Sequence, residues 1–187
     1  RNDVSLTIKN KLQPIVNQNW VIFNYKKPLL LDEFTFSFLN KNGNYLNDGW
    51  NNKKRERLCD YNLQYFDDLH AIDSIKRKKW HQKIINDWIS ANLVFEGAGW
   101  EPYPISLRIV NWIKWFFSIN NPSSIQINSL IIQSRYLFAN IEYHILGNHI
   151  LANAKALIFA GYYLNGCEPK IWLAKGLKIL SQQIHEQ

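Results

Sequence analysis

The sequence has 187 residues, 47% of them hydrophobic and 20% charged, a composition that excludes an intrinsically disordered chain and fits one domain with its own core. Its 22 lysines and arginines outnumber 15 acidic residues, and the net charge of +7 favours anionic partners such as acidic glycans, nucleic acids or phospholipid surfaces. No apolar run approaches the roughly 20 residues that a membrane span needs, and the first residues lack the apolar segment and cleavage site of a signal peptide.

The two cysteines, Cys59 and Cys167, lie far apart in the sequence and form no cluster of metal-ligand spacing with the histidines. No metal site and no other cofactor are therefore predicted. A single disulfide between the two cysteines stays open, although a chain of this length does not require one to fold.

Residues 1–52 are predicted to form an irregular N-terminal arm. Prolines, glycines and many asparagines interrupt its apolar pieces. Two segments, Trp20–Tyr25 and Phe34–Phe38, alternate weakly between apolar and polar residues and are predicted to be short strands.

Residues 53–187 are predicted to be all-α, because apolar residues recur there at intervals of three and four. Helices are expected over residues 73–92, 105–119, 130–146, 150–164 and from 168 to about 187, with Asp73 or Ser74 capping the first and Ser123 or Ser124 beginning the element after Pro122. The first helix should bury one stripe, made of Ile75, Trp80, Ile84, Trp88 and Ile89. Short connections make successive helices antiparallel, so the fold class is stacked helical hairpins.

Three segments of the sequence resemble the heparinase II/III-like polysaccharide lyases. They are Tyr61-Asn62-Leu63-Gln64-Tyr65-Phe66, then Trp100-Glu101-Pro102-Tyr103-Pro104 continuing to Trp112, and Gly147-Asn148-His149-Ile150-Leu151-Ala152-Asn153 continuing to Leu157. The second segment is long and unusual, and the third is similar to the Asn-His helix start of alginate and heparin lyases. The resemblance covers about residues 50–187, in the order that the family has.

The resemblance implies an incomplete (α/α) toroid followed by a β-sandwich, in a bacterial protein that is periplasmic or secreted. It implies cleavage of a uronate-containing acidic polysaccharide, such as a glycosaminoglycan or alginate, by β-elimination. The family's catalytic tyrosine and a second histidine lie beyond the last residue of this sequence. We therefore expect the chain to be a truncated N-terminal toroid domain that is inactive without its missing C-terminal β-rich domain.

By the same resemblance, Asn148 is the candidate group that neutralises the uronate carboxylate, and His149 is the candidate base or substrate ligand. An amide donor beside that carboxylate would stabilise the enolate-like transition state more than the ground state. Gly147-Asn148 also fits an ordinary helix C-cap followed by an N-cap, and from the residues alone that interpretation is favoured.

Four residues of the second predicted helix share one face through their spacing: Arg108, Asn111, Trp112 and Trp115. They are predicted to bind substrate, since arginine pairs with carboxylates and indole rings stack on sugars. The alternative is that both tryptophans are core residues and that Arg108 caps a carbonyl or pairs with Glu142. Tyr103, held between two prolines, is a further candidate for the cleft.

Two other functions compete with the lyase. A glycan-binding helical module would hold acidic polysaccharide without cleaving it. A nucleic-acid binder has only the positive charge in its favour, because no helix-turn-helix, zinc finger or RNP-like motif is present. The predicted partner is therefore an acidic polysaccharide and not a nucleic acid.

Overall fold

The computed structural model describes residues 12–15, 24, 26–38, 40–92, 94–119, 121–145 and 147–185. Seven α-helices lie in these ranges: α1 Tyr45–Asp48, α2 Arg57–Tyr65, α3 Lys78–Ala91, α4 Pro102–Ile119, α5 Ser124–Ala139, α6 Asn148–Tyr163 and α7 Cys167–His185. Short 3-10 turns cover Asp67–His70, Ser74–Arg77 and Ala98–Trp100. The prediction of a mainly helical protein is confirmed.

The N-terminal arm contains ordered structure. Strands β2, Thr35–Phe38, and β3, Lys41–Asn44, form an antiparallel hairpin, which confirms the predicted strand near Phe34–Phe38. Strand β1, Gln13–Pro14, pairs with β4, Leu164–Asn165, between α6 and α7. The other predicted strand, Trp20–Tyr25, lies almost wholly outside the described residues. Leu30, Phe36, Tyr45 and Trp50 belong to the same core as the helices, so the arm packs on the helical layer.

The Asp68 carboxylate joins the arm to the helices. It accepts hydrogen bonds from the backbone amides of Leu29 and Leu30 at 2.6 and 3.1 Å, from Arg77 Nε at 2.9 Å and from the His81 ring at 2.7 Å. Burial alone would raise the pKa of Asp68, but these bonds outweigh it and lower the pKa to about 2. A buried carboxylate with this many donors stabilises the fold in its charged form.

Stability should fall in two separate pH windows. Burial lowers the pKa of His70 from its ordinary 6.5 to about 4, so the unfolded chain binds the additional proton and about 3 kcal/mol of stability is lost as the pH falls from 6.5 to 4. The depressed pKa of Asp68 contributes about 2 kcal/mol, which is present above pH 3.8 and lost between pH 3.8 and 2. Urea unfolding at a series of pH values measures both windows. His70→Gln should remove the pH dependence of stability between pH 6.5 and 4, and Asp68→Asn should remove it between pH 3.8 and 2. An unchanged pH dependence of stability between pH 6.5 and 4 in His70→Gln would contradict this assignment.

The bounds of two predicted helices are corrected. The helix predicted over 130–146 is α5, which begins at Ser124 and ends at Ala139, because Ser123 and Gln126 form a capping box and the backbone leaves helical geometry at Asn140. The first predicted helix begins as a 3-10 turn, and α3 proper starts at Lys78. Neither Asp73 nor Ser74 provides its cap, and Ile75 is 71% exposed instead of lying on the buried stripe.

Helices α4 and α6 lie side by side and run in the same direction. Tyr103 near the start of α4 contacts His149 at the start of α6, and Phe117 near the end of α4 contacts Tyr163 at the end of α6. Helix α5 runs the opposite way, because it begins just after the end of α4 while Tyr136, near its own end, contacts Trp100 before the start of α4. The structure thus has the antiparallel hairpin order that the sequence predicts.

Helix α7 packs closely against α6 because two glycines leave room for the neighbouring backbone. A Cβ atom on Gly161 would lie 2.6 Å from the backbone nitrogen of Leu173, and one on Gly176 would lie 2.7 Å from the carbonyl oxygen of Ala154. These pairs run in opposite order along the two helices, so α7 is antiparallel to α6. Across the described residues, no helix has the combination of length and hydropathy that crossing a bilayer demands.

Candidate functional site

Side chains from α2, α4 and α6 meet in one row, in which Tyr65 is buried and Tyr61, Tyr103 and His149 are partly exposed. The ring of Tyr65 contacts that of Tyr103 edge to face at 6.0 Å between centroids, and Tyr103 stacks on His149 at 4.3 Å and 27°. Tyr61 lies one turn before Tyr65 on the same face of α2. We call Tyr61, Tyr65, Tyr103 and His149 the aromatic strip.

Asn148 lies beside the aromatic strip as the first residue of α6. Its side chain is exposed, and the residue before it is Gly147, with φ of 74°, a conformation that favours glycine. Gly147 has no side chain that could cap the helix. The first backbone N–H groups of a helix have no partner within it and carry the positive end of the dipole. The Asn148 amide and these N–H groups together form a surface that can accept an anion.

A buried polar network fixes the orientation of His149. Its Nδ1 donates to Glu142 Oε1 at 3.2 Å, and the other oxygen of Glu142 accepts from Asn153 Nδ2 at 3.1 Å. Asn153 also donates to Ser106 Oγ at 3.0 Å and accepts from the backbone amide of Glu142, so it joins α4, α6 and the loop between α5 and α6. Because a carboxylate only accepts, Nδ1 carries the proton of the neutral imidazole, and Nε2 of that form presents a lone pair. Nε2 makes no hydrogen bond within the described part of the chain, and a third of the His149 side chain is exposed.

The far end of the aromatic strip carries an ion pair. Arg57 donates to the Glu101 carboxylate at 3.0 Å and to the Tyr61 hydroxyl at 2.7 Å, and Tyr61 itself donates to Glu101. Burial, and then the hydrogen bond to Glu101, raises the pKa of Tyr61. Burial also raises the pKa of Tyr65. Both phenols therefore stay protonated at neutral pH, and the ring faces along the strip carry no net charge.

The prediction that Arg108 contacts substrate is wrong, because its side chain has no exposed surface. Its guanidinium donates to Gln133 Oε1 at 2.8 Å and to the carbonyl oxygens of Gly99 and Gln64 at 2.6 and 3.3 Å, and it lies 3.9 Å from the centre of the Trp88 ring. The alternative that Arg108 caps carbonyls is confirmed. The alternative pairing with Glu142 is wrong, since that carboxylate contacts His149.

The other three predicted substrate contacts on α4 are also corrected to structural roles. Trp112 is fully buried against Phe66 and Trp88, and Trp115 is 3% exposed. Asn111 is 8% exposed and donates to the Tyr65 carbonyl at 2.8 Å and to an Asp67 carboxylate oxygen at 2.9 Å. Their shared face points into the core, since α4 is covered by neighbours on most of its circumference. The partly exposed face of α4 is the one that contains Tyr103, Leu107 and Lys114.

Three of the seven predicted site residues thus come together: Tyr103, Asn148 and His149. Sequence reasoning did not assign a role at this site to Arg57, Tyr61, Tyr65, Glu101 and Glu142. For α2 a signal existed, because Arg57, Tyr61 and Tyr65 are spaced by four residues and share a helix face. For Glu142 none existed, since its contact with His149 depends on the path of the loop after α5.

Three cavities elsewhere in the described residues do not include Asn148, His149 or Tyr103. One of about 190 Å³ lies between Trp115, His81 and the turn at Ser74, and one of about 330 Å³ lies beside Arg55 and the β2–β3 hairpin. A small apolar one lies under Leu30 and Phe36. In the described ranges, no group of three His, Cys, Asp or Glu side chains is arranged to hold a metal ion, and both cysteines are free.

Comparison of the chain with models of known protein families, with curated protein sequences and with solved structures found no match.

Proposed function

We propose that this chain is the N-terminal helical part of a heparinase II/III-like polysaccharide lyase, which cleaves a uronate-containing acidic glycan by β-elimination. One observation carries the proposal. The three segments that resemble the family are separated by 33 and 34 residues in the sequence, and they meet in the fold. Tyr61 contacts Glu101, Tyr65 contacts Tyr103, and Tyr103 stacks on His149, which follows Asn148 directly. The resemblance implies that these segments share one site, and the contacts between them support that implication.

Asn148 neutralises the uronate carboxylate in this proposal. β-Elimination removes the weakly acidic proton at C5, and the negative charge that develops spreads into the carboxylate. The Asn148 amide and the first N–H groups of α6 donate to it, and they bind the transition state more tightly than the ground state because the charge there is greater. The exposed position of Asn148 at a helix start supports this role.

His149 is the base that takes the C5 proton, or a ligand that positions the sugar. Its Nε2 lone pair faces outward because Glu142 holds Nδ1–H, and this carboxylate also stabilises the imidazolium that proton transfer would create. Tyr103 stacks on the imidazole and limits its rotation. The proton for the leaving O4 comes from a tyrosine beyond residue 187, as the family resemblance implies.

The hairpins α4–α5 and α6–α7 form part of an (α/α) toroid in this proposal, and the rest of the toroid and a β-sandwich follow in the same polypeptide. The parallel course of α4 and α6, with α5 and α7 running the other way, supports that arrangement. A periplasmic or secreted location follows from the same resemblance.

A non-catalytic glycan-binding module is the second candidate. The observation in its favour is that Asn148 is exposed and His149 is partly exposed, and that neither residue lines one of the three cavities described above. An open surface can bind an acidic glycan, whereas a lyase needs a cleft that excludes water from the reacting atoms.

Product formation separates the two functions. The full gene product and the 187-residue chain would each be incubated with hyaluronan, alginate and heparan sulfate, and the unsaturated sugar would be followed by its ultraviolet absorbance. A lyase gives absorbance with the full gene product on at least one glycan. If both proteins bind a glycan and neither produces absorbance, the binding module is supported. Tight, steeply salt-dependent binding of duplex DNA, with no glycan binding, would contradict both candidate functions.

A further inference from the structure

A second cluster of charged side chains lies farther along the surface shared by α4 and α6. Lys114 on α4 is half-buried, and its ammonium lies 5.9 Å from the centre of the Phe159 ring on α6. Lys155 is one turn before Phe159 on the same face of α6 and is exposed. Lys26 Nζ contacts Asp67 Oδ1 at 2.6 Å. We call Lys26, Lys114 and Lys155 the basic cluster.

The basic cluster has more positive charge than its surroundings neutralise. Among the described residues, Asp67 attracts the Lys114 ammonium, whereas Lys155 and Lys26 repel it. Burial and then this repulsion lower the pKa of Lys114. Asp67 is shared further, because Asn111 Nδ2 donates to the same oxygen that contacts Lys26. Three ammonium groups around one carboxylate leave an excess of positive charge that an added anion would relieve.

The position of the basic cluster relative to Asn148 follows from helix geometry. Lys155 is seven residues after Asn148, so both lie on one face of α6 and about 10 Å apart along its axis. Helix α4 runs parallel to α6. Lys114 therefore lies beyond Tyr103 in the same direction in which Lys155 lies beyond Asn148. The partly exposed Leu107 and Ala152 occupy the surface between the two ends.

We propose that the basic cluster is an anion subsite of the same polysaccharide site. Asn148 holds the reacting uronate, and the basic cluster holds the acidic group of a sugar farther along the same polysaccharide. The axial separation of about 10 Å between Asn148 and Lys155 suits a disaccharide unit, and Lys114, beside Phe159, lies about one helical turn farther along. The apolar surface between the ends suits the C–H face of a pyranose. The proposal rests on the proposed function for the identity of the ligand. The subsite adds to that function a contact that selects for an acidic group at a fixed distance from the cleaved bond.

Titration calorimetry of the 187-residue chain with hexamannuronate tests the subsite. Lys155→Gln should raise the dissociation constant about tenfold, since a hydrogen bond to a charged group is lost. Lys114→Gln should act in the same direction. Lys178→Gln on α7 makes the same change at an exposed position and should leave the affinity unaltered. Lys155 is exposed, so its replacement is not expected to disturb folding, and circular dichroism checks this.

Three outcomes would overturn the subsite. If Asn148→Ala weakens binding while Lys155→Gln binds like the original protein, the subsite is wrong and the proposed function stands. If the original protein binds no hexamannuronate, hyaluronan or heparan sulfate oligosaccharide, the proposed function fails together with the subsite. If Lys155→Gln weakens a single-stranded DNA oligonucleotide as much as the hexasaccharide, the cluster is a general polyanion surface and not a sugar subsite.

Discussion

Arg108→Ala is expected to destabilise the protein by about 4 kcal/mol or more, which is a large part of the 5–15 kcal/mol that holds a typical domain together. The substitution removes a buried cation that binds three acceptors on separate elements and covers one face of Trp88. It leaves the Gln133 amide oxygen and two carbonyl oxygens without donors, and it leaves a cavity beside the indole. Burial lowers the pKa of Arg108, but an arginine keeps its proton in folded proteins, so the lost group is a cation.

Chemical denaturation of Arg108→Ala, Arg108→Lys and Arg57→Ala measures this effect. Arg108→Lys should recover little stability, because one ammonium cannot reach three acceptors that a planar guanidinium spans. Arg57 is 75% exposed, and its replacement should cost about 1 kcal/mol or less. Near-normal stability of Arg108→Ala combined with a loss of glycan affinity would restore the substrate-binding role that the sequence predicts.

Asn148→Ala is expected to lower kcat of the full gene product about 100- to 1,000-fold, the usual effect of losing one donor to a developing negative charge. Substrate affinity should fall much less, because the amide acts mainly in the transition state. Stability should hardly change, since the Asn148 side chain is exposed and makes no cap to the helix. Steady-state kinetics on the preferred glycan would show the fall in kcat.

Two matched variants control the Asn148 experiment. Asn148→Asp keeps the shape but replaces the donor by a carboxylate that repels the substrate, so it should be at least as inactive as Asn148→Ala. Asn128→Ala makes the same change at an exposed position in the second turn of α5 and should keep full activity. Full activity in Asn148→Asp would mean that Asn148 does not contact the uronate carboxylate.

Much of the helical architecture could be predicted from local patterns. The bounds of α4, α6 and α7 follow from Pro122, Gly147 and Gly166, which stop or start a helix through backbone geometry alone. The end of α5 could not be predicted, because residues 140–146 keep an apolar pattern. Residues 140–145 leave the helix where the backbone amide of Glu142 donates to the Asn153 side chain, and this contact depends on the tertiary fold.

The candidate site was predictable where it depends on short motifs and not where it depends on which way a helix faces. The spacing of Arg108, Asn111, Trp112 and Trp115 correctly places them on one face. Sequence cannot say which face is buried when both are rich in large side chains, and polar residues such as Arg108 and Asn111 belong to the core through bonds to carbonyls on α2 and the turn before α4. The His149–Glu142 pair crosses a loop whose course the sequence did not indicate.

A crystal structure of the chain bound to a hexauronate would show whether Asn148 and His149 contact the sugar. We expect a sugar carboxylate within hydrogen-bonding distance of the Asn148 amide, with His149 Nε2 turned toward C5 of the same sugar and Tyr103 beside its ring. An oligosaccharide bound at another surface, with Asn148 and His149 exposed to solvent as before, would contradict it.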